Sequence, residues 1–145
     1  MLHFNHRFVA FGLFVLALLP AGSCDLLGLF GSPTVEAQLG SIFSLAMGQT
    51  ARLSSEGLSI QFEAVLEDSR CPVDVQCVWA GNAKVSIQIQ QTGQTSQTLI
   101  LNSNLEPREV AYEAFLIRYE DLAPQPRSDS QIPRGKYRLS LSVSR

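Results

Sequence analysis

Histidine is almost missing from this chain. Only His3 and His6 are present, and both precede an apolar run at the N-terminus. If that segment is removed, the mature protein has no histidine, which excludes Ser-His-Asp and Cys-His catalysis and any His-containing metal cluster. The charges sum to −2 and are scattered, with no basic run and no interleaving of aromatic and basic residues. Nucleic-acid binding is therefore disfavoured. No glycine loop suited to phosphate, no internal repeat and no low-complexity segment occurs, and from Ile42 onward no convincing helix pattern is found. Cysteine and tryptophan are also scarce, at three and one.

What is present begins with an export signal. Met1 to Arg7 carries an arginine, Phe8 to Leu19 is unbroken apolar sequence, and Pro20-Ala21-Gly22-Ser23-Cys24 supplies small residues. A basic start, a short apolar stretch and a small-residue end are the three parts of a secretory signal. The uncharged run Phe8–Cys24 is 17 residues, short for a bilayer span of about 20. Leu-Pro-Ala-Gly-Ser-Cys resembles a bacterial lipobox, in which the cysteine is lipidated and becomes the first mature residue. It departs from that motif at Ala21, where leucine is usual. Lipidation at Cys24 is favoured because it gives the odd cysteine a separate fate. Ordinary cleavage and an uncleaved anchor are the alternatives. The expected organisation is a signal peptide over 1–23, a tether over 24–40 with three glycines and a proline, and one domain over 41–145.

The domain reads as all-β. Phe43–Met47 and Gln49–Leu53 are two short strands joined at Gly48. Leu58, Ile60, Phe62, Ala64 and Leu66 alternate with mostly polar residues, which predicts one strand with a single buried face. Val85, Ile87 and Ile89 alternate in the same way, Thr92-Gly93-Gln94 is a hairpin turn, and Thr95–Leu101 returns as the partner. Asn102–Arg108 is a loop, a single strand is expected over Ala114–Leu122, and Ala123–Gly135 with three prolines is a long loop. Lys136–Ser144 is the clearest strand, with Tyr137, Leu139, Leu141 and Val143 inward. About seven short strands without crossover helices predict an antiparallel β-sandwich of Greek-key or immunoglobulin-like type, with a closed barrel as the alternative.

The chemistry of the domain concentrates between Glu67 and Ala83. Cys71 and Cys77 lie in one loop, and in an exported chain such a pair predicts a disulfide. A redox pair usually has two intervening residues instead of five. Zinc would need two further ligands that a histidine-free chain does not offer, so neither metal nor cofactor is expected. Trp79 invites two readings. Either its ring covers the disulfide or plugs one end of the sandwich, or it is a partly exposed anchor for a partner. Asp68, Ser69 and Arg70 suit a turn, with Arg70 pairing to Asp68 or Asp74. Glu67, Asp68 and Asp74 are the one set of carboxylates that convergence in space would bring together.

The run Asp68-Ser69-Arg70-Cys71-Pro72, then Val75, Cys77, Trp79 and Gly81, resembles the D-S-R-C-P-x-x-V-x-C-x-W-x-G signature of a group of uncharacterised small exported bacterial proteins and lipoproteins. The likeness extends to Phe43, Leu45 and Gly48 and to the Tyr137–Val143 strand. It implies an envelope location and a β-rich fold, and it implies no activity. The expected function is accordingly non-enzymatic. The chain reads as an exported, lipid-anchored β-sandwich of the cell envelope, or a secreted or periplasmic one, whose disulfide-closed loop binds an envelope protein or ligand through Asp68, Arg70, Pro72 and Trp79. A passive structural module in which the motif is a core staple is the second reading. A redox protein or hydrolase is the third.

Overall fold

A computed structural model describes residues 33–145. The expected signal peptide, Cys24 and the first part of the expected tether lie outside the described residues. Nine strands form: β1 (Thr34–Glu36), β2 (Ile42–Ala46), β3 (Thr50–Leu53), β4 (Leu58–Asp68), β5 (Ala83–Gln91), β6 (Gln97–Asn102), β7 (Glu109–Tyr112), β8 (Phe115–Ala123) and β9 (Arg138–Ser144). Among the described residues there is no α-helix, only two 3-10 turns, and no helix long and apolar enough to cross a membrane. One sheet has the order β1-β3-β4-β5-β6 and the other β2-β9-β8-β7. All strand pairs are antiparallel except β1 with β3. Both sheets stay open, so this is a β-sandwich and not a closed barrel.

The alternating residues dictate the core. Ile60 opposes Ile89 and Phe62 opposes Ile87 in the first sheet, while Leu141 opposes Tyr119 and Leu139 opposes Leu122 in the second. All eight are buried. Each such side chain stabilises the fold by roughly 1.5–3 kcal/mol relative to exposure.

Three expectations need correction. The end of the expected tether belongs to the domain: Val35, Ala37 and Leu39 alternate and pack on the core, and Thr34 pairs with Thr50. The expected single strand over Ala114–Leu122 is the second arm of a hairpin. Tyr112 faces Phe115 across a two-residue turn in which Glu113 adopts a positive φ of 51°, a conformation that glycine or asparagine would have advertised. Strands β2 and β3, though joined at Gly48, lie in different sheets.

The fourth correction shapes the site. The buried alternation of β4 stops at Phe62, because register shifts occur between Phe62 and Ala64 and again between Val65 and Glu67. Bulges re-aim side chains. Here they turn Leu66 outward, set Val65 opposite the buried Val85, and bring Asp68 opposite the buried Ala83. The two shifts cancel in parity, so Asp68, an even spacing from Phe62, keeps the inward side, and an acidic residue faces the end of the sandwich.

Strand directions place the long connections together. Residues 69–82, 103–108 and 124–137 link β4 to β5, β6 to β7 and β8 to β9, and all three fall at one pole. Short turns close the opposite pole, at 54–57, 92–96 and 113–114.

Candidate functional site

The inward turn of Asp68 finds its partner two residues on. Arg70 donates from Nε to Asp68 Oδ1 at 2.8 Å and from Nη2 to Oδ2 at 2.7 Å, a two-point ion pair with both side chains largely buried. The same guanidinium donates from Nη1 to the Leu122 carbonyl and from Nη2 to the Pro124 carbonyl at 3.0 Å. The Tyr137 hydroxyl donates to Asp68 Oδ2 at 3.0 Å. One ion pair therefore ties the end of β4 to the end of β8 and to the approach to β9, across the two sheets. Burial alone would push the Asp68 carboxyl up. The hydrogen bonds and charge of Arg70, with help from Tyr137, outweigh it and hold the carboxyl below its ordinary value.

Beyond this pair the loop narrows to a neck. Ser69 N donates to Asn82 O at 2.8 Å and Cys71 N to Ala80 O at 2.8 Å, continuing the β4–β5 ladder. Gly81 sits on the far side with φ +70°, and a Cβ there would lie 1.8 Å from the Ser69 carbonyl oxygen. Only glycine fits. Asn82 is buried and donates to Asn102 Oδ1 at 2.9 Å, while its own Oδ1 accepts from Asn104 N at 3.1 Å and Ser103 Oγ at 3.3 Å. The Asn-Ser-Asn run at 102–104, read from sequence as loop only, is the socket for the neck.

The tip is closed and braced. Cys71 and Cys77 form the expected disulfide, with Cα atoms 6.0 Å apart. Val73 N donates to Pro126 O at 3.0 Å, and the Asp74 carboxylate accepts from Ser128 N at 2.9 Å and Ser128 Oγ at 2.5 Å. The 69–82 loop is thereby held against the 124–137 connection as well as against itself.

The site residues expected from sequence divide into two groups. Asp68 and Arg70 are internal: they hold the loop and are not offered to a partner. Pro72 is half-buried beside the bridge. Trp79 is 66% exposed, so its ring neither plugs the sandwich nor enters the core, and the plugging role is corrected. Val78 beside it is fully exposed, and Val73 and Val75 add two more exposed apolar side chains. The three valines are part of the presented surface and had no signal of their own beyond lying near the cysteines. No family model, curated protein or solved structure matches this chain. The carboxylates do not converge: Glu67 lies 3.9 Å from Lys84, Asp68 engages Arg70, and Asp74 engages Ser128. Among the described residues no group of acidic, cysteine or histidine side chains is placed to hold a metal ion. What the arrangement offers is an apolar tip on a braced stalk; the 124–137 connection separately carries an open groove of about 470 Å³ whose lining mixes Pro124, Ile132 and Pro133 with Arg127, Gln131 and Lys136.

Proposed function

We propose that this protein is an exported, lipid-anchored β-sandwich of the cell envelope that works by binding and not by catalysis, with the tip of the 69–82 loop as its contact surface. The signal-like N-terminus and the lipobox-like Cys24 support the location. The observation that carries the binding role is the exposure of Val78 and Trp79 on a loop immobilised by a disulfide, an ion pair and a ladder. Apolar side chains exposed singly are ordinary, whereas ones grouped together at a single tip mark an interaction site. Holding them rigid lowers the ordering cost of that meeting.

The second reading, a passive module stapled by its motif, draws on the Asp68–Arg70–Tyr137 cluster that knits the two sheets. It leaves Val78 and Trp79 without a role. A photoreactive group at position 78, activated in intact envelopes, separates the two. Adducts that disappear with Trp79→Ser support the contact surface, whereas no adduct of any kind, protein or lipid, would leave the passive module standing.

A further inference from the structure

β1 runs parallel to β3, with Thr34 opposite Thr50, and β3 runs antiparallel to β4, with Thr50 opposite Gln61. From Gln61, β4 continues seven residues (68 − 61) to Asp68 and the loop. The chain that precedes Thr34 therefore enters the domain heading from the pole that carries the disulfide loop. Those seven residues advance about 20 Å along the strand. Between Cys24 and Thr34 lie nine residues, 25–33, which reach at most about 30 Å when fully extended.

The two lengths constrain each other. A membrane anchor at Cys24 cannot stand farther than that reach from the start of β1, and most of it is needed to pass the end of β4. The neck carries Cys71 three residues, about 10 Å, past Asp68, so a domain anchored with its loop pole foremost has no length to spare and its tip reaches the bilayer.

The tip has the chemistry for that surface. Val75, Gln76, Cys77, Val78, Trp79 and Ala80 form six consecutive uncharged residues, so no ionised side chain need leave water, and the nearest charge, Asp74, is satisfied by Ser128. An indole with an apolar body and one N–H donor belongs at the headgroup level of a bilayer. A protein partner of ordinary affinity would engage about 20–30 residues a side, and this tip offers three exposed large apolar side chains, Val75, Val78 and Trp79. We propose that the Val75–Ala80 tip docks into the interfacial layer of the membrane that anchors the chain, with Trp79 as its deepest polar-capped side chain. The proposal rests on the anchored reading above and names its partner as lipid.

Trp79 is the chain's only tryptophan, so its emission reports this site alone. The mature protein, isolated from its own envelope and checked by intact mass, is reconstituted into vesicles of phosphatidylethanolamine and phosphatidylglycerol. The expected result is a blue-shifted emission, loss of most of it when the lipids are brominated near the headgroup end of the acyl chains, and protection from aqueous iodide. Val78→Asp should abolish the lipid quenching while the protein stays on the vesicles and its melting temperature is unchanged. Vesicle-bound protein whose Trp79 remains open to iodide and blind to brominated lipid overturns the docking while leaving the anchor intact. Iodide protection without lipid quenching also overturns it, in favour of contact between protein copies. A mature mass without acyl chains, on protein that washes off the vesicles, removes the anchored reading and the docking with it.

Discussion

Asp68 and Arg70 are separated by one residue, yet they meet through two parallel hydrogen bonds inside the protein, and the guanidinium then reaches the Leu122 carbonyl of the opposite sheet and the Pro124 carbonyl just past it. A lysine has one point charge and cannot make that fork. Arg70→Ala leaves a carboxylate facing inward without its cation, and removing one partner of a buried pair costs about 3–5 kcal/mol. Chemical denaturation should show a loss of that order for Arg70→Ala, with Arg70→Lys recovering less than half of it.

The same pair sets the acid limit. The folded-state pKa of Asp68 lies below its ordinary 3.8, so the stability it contributes is fully present above that value and is lost as pH falls through the lower folded one. Melting temperatures of the wild type should drop below about pH 4, and Asp68→Asn should be less stable at neutral pH but show a flatter acid limb. On the alkaline side, burial pushes the Tyr119 phenol up from 10.0 to about 12, with the charge of Arg70 acting against it. Its contribution is complete below pH 10.0 and is lost as pH rises through about 12, a loss that Tyr119→Phe should remove.

Gly81→Ala should be among the most damaging single changes in the domain. The alanine would need a left-handed backbone, costing about 1–2 kcal/mol, and its methyl group would collide with the Ser69 carbonyl. Backbone on both sides of the neck must shift, adding about 1–3 kcal/mol. Poor recovery of folded protein, or a melting temperature far below that of Gly93→Ala, is the expected outcome; Gly93 also has positive φ but has open space around it.

Opening the disulfide should cost less than losing the ion pair. The bridge closes a short loop, worth about 2 kcal/mol in chain entropy, or about 10 °C in Tm for a domain of this size. Because the ladder bonds of the neck and the Asp74–Ser128 brace persist, the double variant Cys71→Ser, Cys77→Ser should still melt cooperatively. Near-ultraviolet dichroism at room temperature should keep the signature of the Tyr112, Tyr119 and Tyr137 environments.

Trp79→Ser should leave stability within about 0.5 kcal/mol of the wild type, as an exposed position with no core contact does. A sharp fall in Tm would instead give the indole the plugging role that its exposure argues against.

Much of this was legible in advance. The residues that alternate cleanly, Val85 to Ile89 and Leu139 to Val143, lie inward as their pattern predicts, because a period of two has only one solution on a sheet with one buried face. The disulfide was legible from two cysteines lying in one loop of a chain read as exported. Three features were not, each for a physical reason. The β4 bulges leave no mark on composition, so Leu66 looked like a core residue and Val65 like one on the outer face. The turn at Glu113-Ala114 lacks glycine and asparagine, so the hairpin's first arm, β7, went unread. The exposure of Trp79 depends on where the neck aims the loop, which is set by Gly81, Asn82 and a socket twenty residues away. The motif therefore announced a site without disclosing which of its residues face in.

The pairing of β2 with β9 also sets an order of events. Ile42 lies opposite Ser142, a hundred residues further on, and β9 stands between β2 and β8 as an interior strand of its sheet. While residues 138–144 are still being synthesised, β2 has no partner and only the β7–β8 hairpin of its sheet is in place to cover the inner face of the other. Closure must therefore wait for the ninth strand, and contacts of such long sequence separation form slowly. A chain built this way stays open for as long as it is being made, which is the condition under which an unfolded polypeptide can be threaded across a membrane before it folds.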